Sequence, residues 1–83
     1  MQGKIVGGYV KKCSEGKKWD SSATLFVQQE LPSGENIIQA DGYCVRSVVC
    51  QSSRLPDSIK NMVGHTYAIS TNNKFASEFF KIN

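Results

Sequence analysis

Hydrophobic and polar positions alternate in short runs along this chain, and glycine, proline and asparagine separate the runs. The clearest run is SATLFVQQEL (Ser22–Leu31), in which Ala23, Leu25 and Val27 fall on one side and Thr24, Phe26 and Gln28 on the other. A period of two marks a strand with one buried face. Ahead of it, KIVGGYVKKC (Lys4–Cys13) carries Val6, Tyr9 and Val10 around the pair Gly7-Gly8. Glycines inside a strand mark a bulge or a sharp bend where a sheet coils. LPSGE (Leu31–Glu35) is a turn cluster that predicts a returning hairpin. The run NIIQADGYCVRSVVC follows, with Asp41-Gly42 as a second turn or a bulge and YCVRSVV as strand.

The segment QSSRLPDSIKNMVG changes character. Pro56 can open and Gly64 close a helix of one or two turns at most, with Asp57 in its first turn. HTYAIST then reads as strand, NNK as a tight turn and FASEFFKIN as a last strand. Five strands of modest length at fairly regular spacing predict an all-β fold, a small five-stranded OB-like barrel with at most one short helix. Closing or nearly closing the sheet also answers the problem of exposed strand edges. At 83 residues the chain fits one domain, 1–83.

Composition refines this picture only slightly. With 40% hydrophobic and 20% charged residues the chain is an ordinary globular mixture. A net charge of +3 suits a polyanion partner, and the distribution of charge says more. Lys4, Lys11, Lys12, Lys17 and Lys18 precede residue 20, against only Glu15 and Asp20 at that end of the chain. The cysteines Cys13, Cys44 and Cys50 are odd in number and lack CxxC or histidine spacing. That argues against a disulfide framework and against zinc, and for small thiols in a reducing cytoplasm. No apolar run reaches membrane-spanning length and no signal-peptide core is visible, so a cytoplasmic protein without a membrane partner is expected.

Catalysis finds no support. His65 is the sole histidine, the carboxylates fall mostly in turns and loops, and GKIVGG lacks the Gly-Lys-Ser/Thr ending of a phosphate loop. The sequence predicts no enzyme, no metal site and no cofactor. The segment CSEGKKWDSS (Cys13–Ser22) is the more informative one, because it sets Lys17, Lys18 and the single tryptophan, Trp19, in a short polar loop. Lysines neutralise phosphates and an exposed ring stacks on an unpaired base, which together is what a single-stranded nucleic acid needs. The other reading folds Trp19 back to cap one end of the barrel and leaves the lysines solvated. Tyr9 offers a second ring beside Lys11 and Lys12, or a core ring with its hydroxyl at the rim. Arg46, flanked by Val45 and Ser47 in a strand, has solvent, a carboxylate or a phosphate as its partner.

On these residues the chain resembles the small single-stranded-DNA-binding proteins of filamentous phages. Those have an OB-type barrel whose first strand leads into a basic loop with a glycine-lysine-x-aromatic element and then an alternating second strand. Here the element reads Gly16-Lys17-Lys18-Trp19, followed by SSATLFVQQ. Gly64 and Tyr67 lead the strand TYAIST, and FASEFFKIN ends the chain in the similar way. The resemblance implies a homodimer that coats single-stranded DNA cooperatively, in a host cytoplasm, with Trp19 as the loop aromatic and Lys17 and Lys18 on phosphate. The chain departs from the pattern in Gln51–Val63, which is poor in aromatics where the family extends a hairpin used in dimer contacts.

The nucleic-acid reading therefore expects Tyr9, Lys11, Lys12, Lys17, Lys18, Trp19 and Arg46 to contact single-stranded DNA, with RNA as the related ligand. A second reading is a small β-barrel that binds another protein, as a phage-type inhibitor or assembly subunit. It rests on Phe75, Phe79 and Phe80. Adjacent Phe79 and Phe80 point to opposite faces of a strand, which sends one of them outside the barrel.

Overall fold

A computed structural model describes residues 1–14 and 18–83. Five strands, β1 (Gln2–Lys12), β2 (Ser21–Glu30), β3 (Tyr43–Gln51), β4 (Thr66–Asn72) and β5 (Phe75–Lys81), form a closed barrel in the order β1-β2-β3-β5-β4. All neighbours are antiparallel except β3 and β5, which run parallel. This is the all-β, five-stranded, OB-like barrel the alternation predicts.

Closure depends on β1, which pairs with β4 through Gln2–Lys4 and with β2 through Lys4–Lys12. The register shifts between Ile5 and Gly7, so Val6 is the extra residue of a bulge next to the glycine pair. A bulge adds local twist, and twist lets one long strand serve two sheet directions. The two glycines act differently. A Cβ on Gly8 would lie 2.7 Å from the Thr24 carbonyl oxygen and 2.8 Å from Leu25 Cδ2, so β1 and β2 approach there only because Gly8 has no side chain. A Cβ on Gly7 would meet nothing closer than Phe26 Cδ2 at 3.9 Å.

The interior is small and aliphatic. Ala23, Leu25 and Val27 of β2 are buried as their spacing predicts, against Ile5, Val48, Cys50, Ile69 and Tyr67. The segment between β3 and β4 forms a single 3-10 turn (Ser52–Arg54) and one short helix, α1 (Ile59–Met62). Met62 is fully buried, and Leu55 and Ile59 pack against the core beside it, so this segment covers part of the interior. Gly64 ends the helix at φ +93°, and the Gly64 N–H then donates to the Ile5 carbonyl oxygen at 2.8 Å, which ties the helix exit to β1. NNK is the tight turn between β4 and β5, with Asn73 at φ +59°. Phe79 packs on the core edge-to-face with Tyr67, and its neighbour Phe80 is 56% exposed.

Two expectations need correction. Residues 31–42 do not return as strand; they are a loop with Ile38 99% exposed, and β3 begins only at Tyr43. Adjacent Ile37 and Ile38 break the period of two, and Gly42 at φ +85° turns the chain before pairing resumes. The barrel, although closed, also retains an unpaired edge. β3 joins β5 at a single bridge, Val49 to Phe75, so Tyr43–Val48 have β2 on one side and no strand on the other among the described residues.

Candidate nucleic-acid interface

Strand register decides what the outside of this barrel displays. Opposed residues point the same way, so Tyr9, Thr24 and Val49 stand in one outward row across β1, β2 and β3, and the Val49–Phe75 bridge continues that row onto β5. Tyr9 is 48% and Phe75 45% exposed. At ~4.8 Å per strand step, the row places two rings roughly 14 Å apart across one face. Each ring has an aromatic companion. Phe26, from the next outward row, lies beside Tyr9 with ring centroids 6.3 Å apart. Trp19 meets Phe75 edge-to-face at 6.2 Å and 82°.

The β1–β2 loop brings Trp19 there. The Cys13 N–H donates to the Asp20 carbonyl oxygen at 2.9 Å and closes the loop at its base. Trp19 is half-buried against the outer rim, so it is neither a plug in the barrel nor a ring free in solvent. Beside it lies a cleft of about 340 Å³ lined by Lys18, Trp19, Gln51, Arg54, Phe75 and Ser77, with Ala76 at its base. Lys74 Nζ stands 5.8 Å from the Phe75 ring centre, a cation over an aromatic face. Three cationic side chains, Lys18, Arg54 and Lys74, therefore surround the Trp19–Phe75 pair.

Tyr9, Lys11, Lys18 and Trp19 thus belong to one side of the barrel, Lys11 in the outward row with Ser22 and Gln51. Lys12 pairs with Ser21 at the exposed end of β1, one register step further on. Lys17 lies outside the described residues. Arg46 is elsewhere: it sits opposite Val27 on the other side of the strand and lines a cleft of about 530 Å³ with Gln29, Ser47, Thr71 and Lys74. Sequence reading passed over Phe26, Lys74 and Arg54 as contact residues and weighed Phe75 only for a protein partner. Two signals were available. Phe26 occupies the polar side of an alternating strand, and Lys74-Phe75 repeats the basic-aromatic doublet of Lys18-Trp19 at a turn.

Elsewhere the chemistry is quiet. Burial pushes the Cys50 thiol up, and Cys13 and Cys44 are free and half-buried. No helix among the described residues is long and apolar enough to cross a membrane. Compared with protein-family models, with curated proteins and with solved structures, the chain gives no match.

Proposed function

We propose that this protein is a non-enzymatic single-stranded-DNA-binding protein that holds the strand across the outer face of β1, β2 and β3 and onto the β5 rim. One observation carries the reading: the outward row from Tyr9 to Phe75, with Phe26 and Trp19 as companions and Lys11, Lys18, Lys74 and Arg54 beside it. Aromatic faces accept any base and lysines neutralise phosphate, so the surface suits a coating protein with little sequence preference. OB-fold barrels use this same strand face together with the β1–β2 and β4–β5 loops, the two loops that carry Trp19 and Lys74 here. The resemblance of the Gly16–Trp19 element to phage single-strand-coating proteins points the same way, toward a homodimer serving DNA replication in a host cytoplasm.

The test is a titration of Trp19 fluorescence with oligo(dT) at low and high salt, with duplex DNA as the control. Quenching by the single strand, lost at high salt, is the expected result. Unchanged emission with every oligonucleotide sinks the proposal. Oligo(U) in a parallel arm reports whether a 2′-hydroxyl is tolerated. The protein-binding alternative draws on the exposed apolar residues Phe80 and Ile82, which lie away from the aromatic row. A mobility shift separates the two, because a protein-only binder leaves the oligonucleotide unshifted.

A further inference from the structure

The unpaired edge of β3 carries more than an absence of partners. The Val49 N–H donates to the Lys74 carbonyl oxygen at 2.8 Å, which fixes Val49 as a residue whose backbone points away from β2. Backbone direction alternates along a strand, so Tyr43, Val45 and Ser47 also aim N–H and C=O outward, while Cys44, Arg46 and Val48 bond to β2. Beyond Val49 no strand receives them among the described residues. Their side chains are exposed too, Tyr43 at 68% and Val45 at 54%. Natural proteins usually blunt such an edge, because unused donors and acceptors beside apolar side chains are a template for another strand.

We infer that this edge pairs with the same edge of a second copy of the chain, antiparallel and two-fold symmetric about Cys44. Antiparallel self-pairing is isologous and closes at two subunits. Charge and side-chain size select the register. Centring on Val45 would set Arg46 diagonally across from Arg46 of the second copy, within ~7–8 Å, a like-charge neighbour. Centring on Cys44 separates the two arginines and lays Tyr43 over Val45 of the second copy, an aromatic on a β-branched residue, twice. Four backbone hydrogen bonds form, two from each Tyr43–Val45 pair.

The inference deepens the binding reading. Adding β3 to β3 continues the sheet, so the outward faces of β1, β2 and β3 in the two copies become one six-stranded surface bearing two Tyr9–Phe26 pairs. A strand of DNA then crosses both subunits.

Sedimentation velocity of the full chain is the first measurement, with Val45→Pro as the decisive variant. Proline removes the Val45 N–H, one of the two outward donors that flank Cys44 and one without a strand partner among the described residues, and edge strands tolerate it. The wild type is expected to sediment as a dimer of 9.2 kDa chains, and Val45→Pro to dimerise at least about tenfold more weakly with an unchanged circular dichroism spectrum. Mild oxidation supplies a second readout that needs no edge mutation. In the Cys44 register the two Cys44 residues face each other with Cα atoms ~4.5 Å apart, within disulfide reach. The wild type should cross-link through Cys44, and Cys44→Ser should remain a dimer without cross-linking. A monomer at all concentrations overturns the inference, as does a dimer indifferent to Val45→Pro that never cross-links at Cys44. A monomer that still binds oligo(dT) would remove the interface and leave the binding face standing, whereas a dimer that ignores DNA would do the reverse.

Discussion

Two aromatic pairs in this molecule have nearly the same geometry. Tyr67 and Phe79 meet edge-to-face at 6.5 Å and 86°, Trp19 and Phe75 at 6.2 Å and 82°. The first belongs to the core: Tyr67 is 3% exposed and Phe79 packs against the buried cluster. The second lies on the outer rim, with cations around it and Phe75 half open to solvent. Ring geometry alone therefore says nothing about role. Surroundings decide, because a ring enclosed by aliphatic atoms has already gained what burial can give, and a ring left beside lysines has a free face.

The largest effect should come from breaking the inner pair. Tyr67→Ala opens a cavity in a core of few large side chains and is expected to cost about 3–5 kcal/mol in urea unfolding. Whatever fraction stays folded should bind oligo(dT) as before. Trp19→Ala should do the opposite, leaving urea stability within about 1 kcal/mol and weakening single-strand binding by about 1–3 kcal/mol, roughly 5- to 150-fold. Phe75→Ala should match it, and the double variant should lose less than the sum, because the two rings act as one platform. Equal losses of stability at Trp19 and Tyr67 would erase the distinction between the pairs.

Next in size is a contrast within β1. Gly8→Ala forces a Cβ against the Thr24 carbonyl oxygen and is expected to cost about 1–3 kcal/mol, whereas Gly7→Ala, one residue away, makes only an ordinary contact with Phe26 and should change stability by less than about 1 kcal/mol. Both variants keep the Trp19–Phe75 pair, so Trp19 quenching by oligo(dT) should persist in the folded protein. Smaller again are the charges. Lys18→Ala and Lys74→Ala should each reduce the slope of log affinity against log salt by about 0.7, one phosphate contact on a single strand. An unchanged slope in both variants would detach the cations from the platform.

Much of the inner pair's setting is legible in the sequence, and little of the outer pair's. The alternation of Ala23, Leu25 and Val27 reports a buried face directly, and the Gly7-Gly8 doublet announces the coil that closes the barrel, because both are local rules. That Phe79 and Phe80 face opposite ways also follows from a period of two, but which of them turns in depends on the register shift between Ser70 and Thr71. Trp19 and Phe75, by contrast, are distant in the chain and meet only through the parallel bridge of β3 to β5. No local pattern encodes a register between strands that are not sequence neighbours. The same limit explains the loop at 31–42, where apolar Ile37 and Ile38 imitate a strand but pair with none among the described residues. It explains Arg46 as well: its mid-strand position is plain, but which side of the strand it occupies depends on pairing with Val27.

The smallest prediction couples the helix to the inner pair alone. Asp57 accepts hydrogen bonds from the Asn61 side chain at 3.1 Å and from the Ser58 N–H at 2.7 Å, and these bonds, the Asn61 one first, hold its carboxyl below the ordinary value of 3.8. A lowered folded value means stability that is present above the ordinary range and lost as pH falls through it. Acid should therefore loosen α1, and amide exchange at Met62 and Val63, whose N–H groups close its turns onto Ser58 and Ile59, should report it. At the alkaline end the sign reverses. Tyr67 is pushed above 10.0 by burial first and by the Asp57 charge second, so its contribution is present below 10.0 and fades as pH rises toward the higher folded value. Asp57→Asn should abolish the acid loosening and bring the Tyr67 titration, followed by NMR, back toward 10.0 without reaching it, because burial remains. Trp19 quenching by oligo(dT) at neutral pH should be untouched. A Tyr67 titration indifferent to Asp57→Asn would show that burial alone governs the inner pair, and a change in Trp19 quenching would show that the two pairs are not independent.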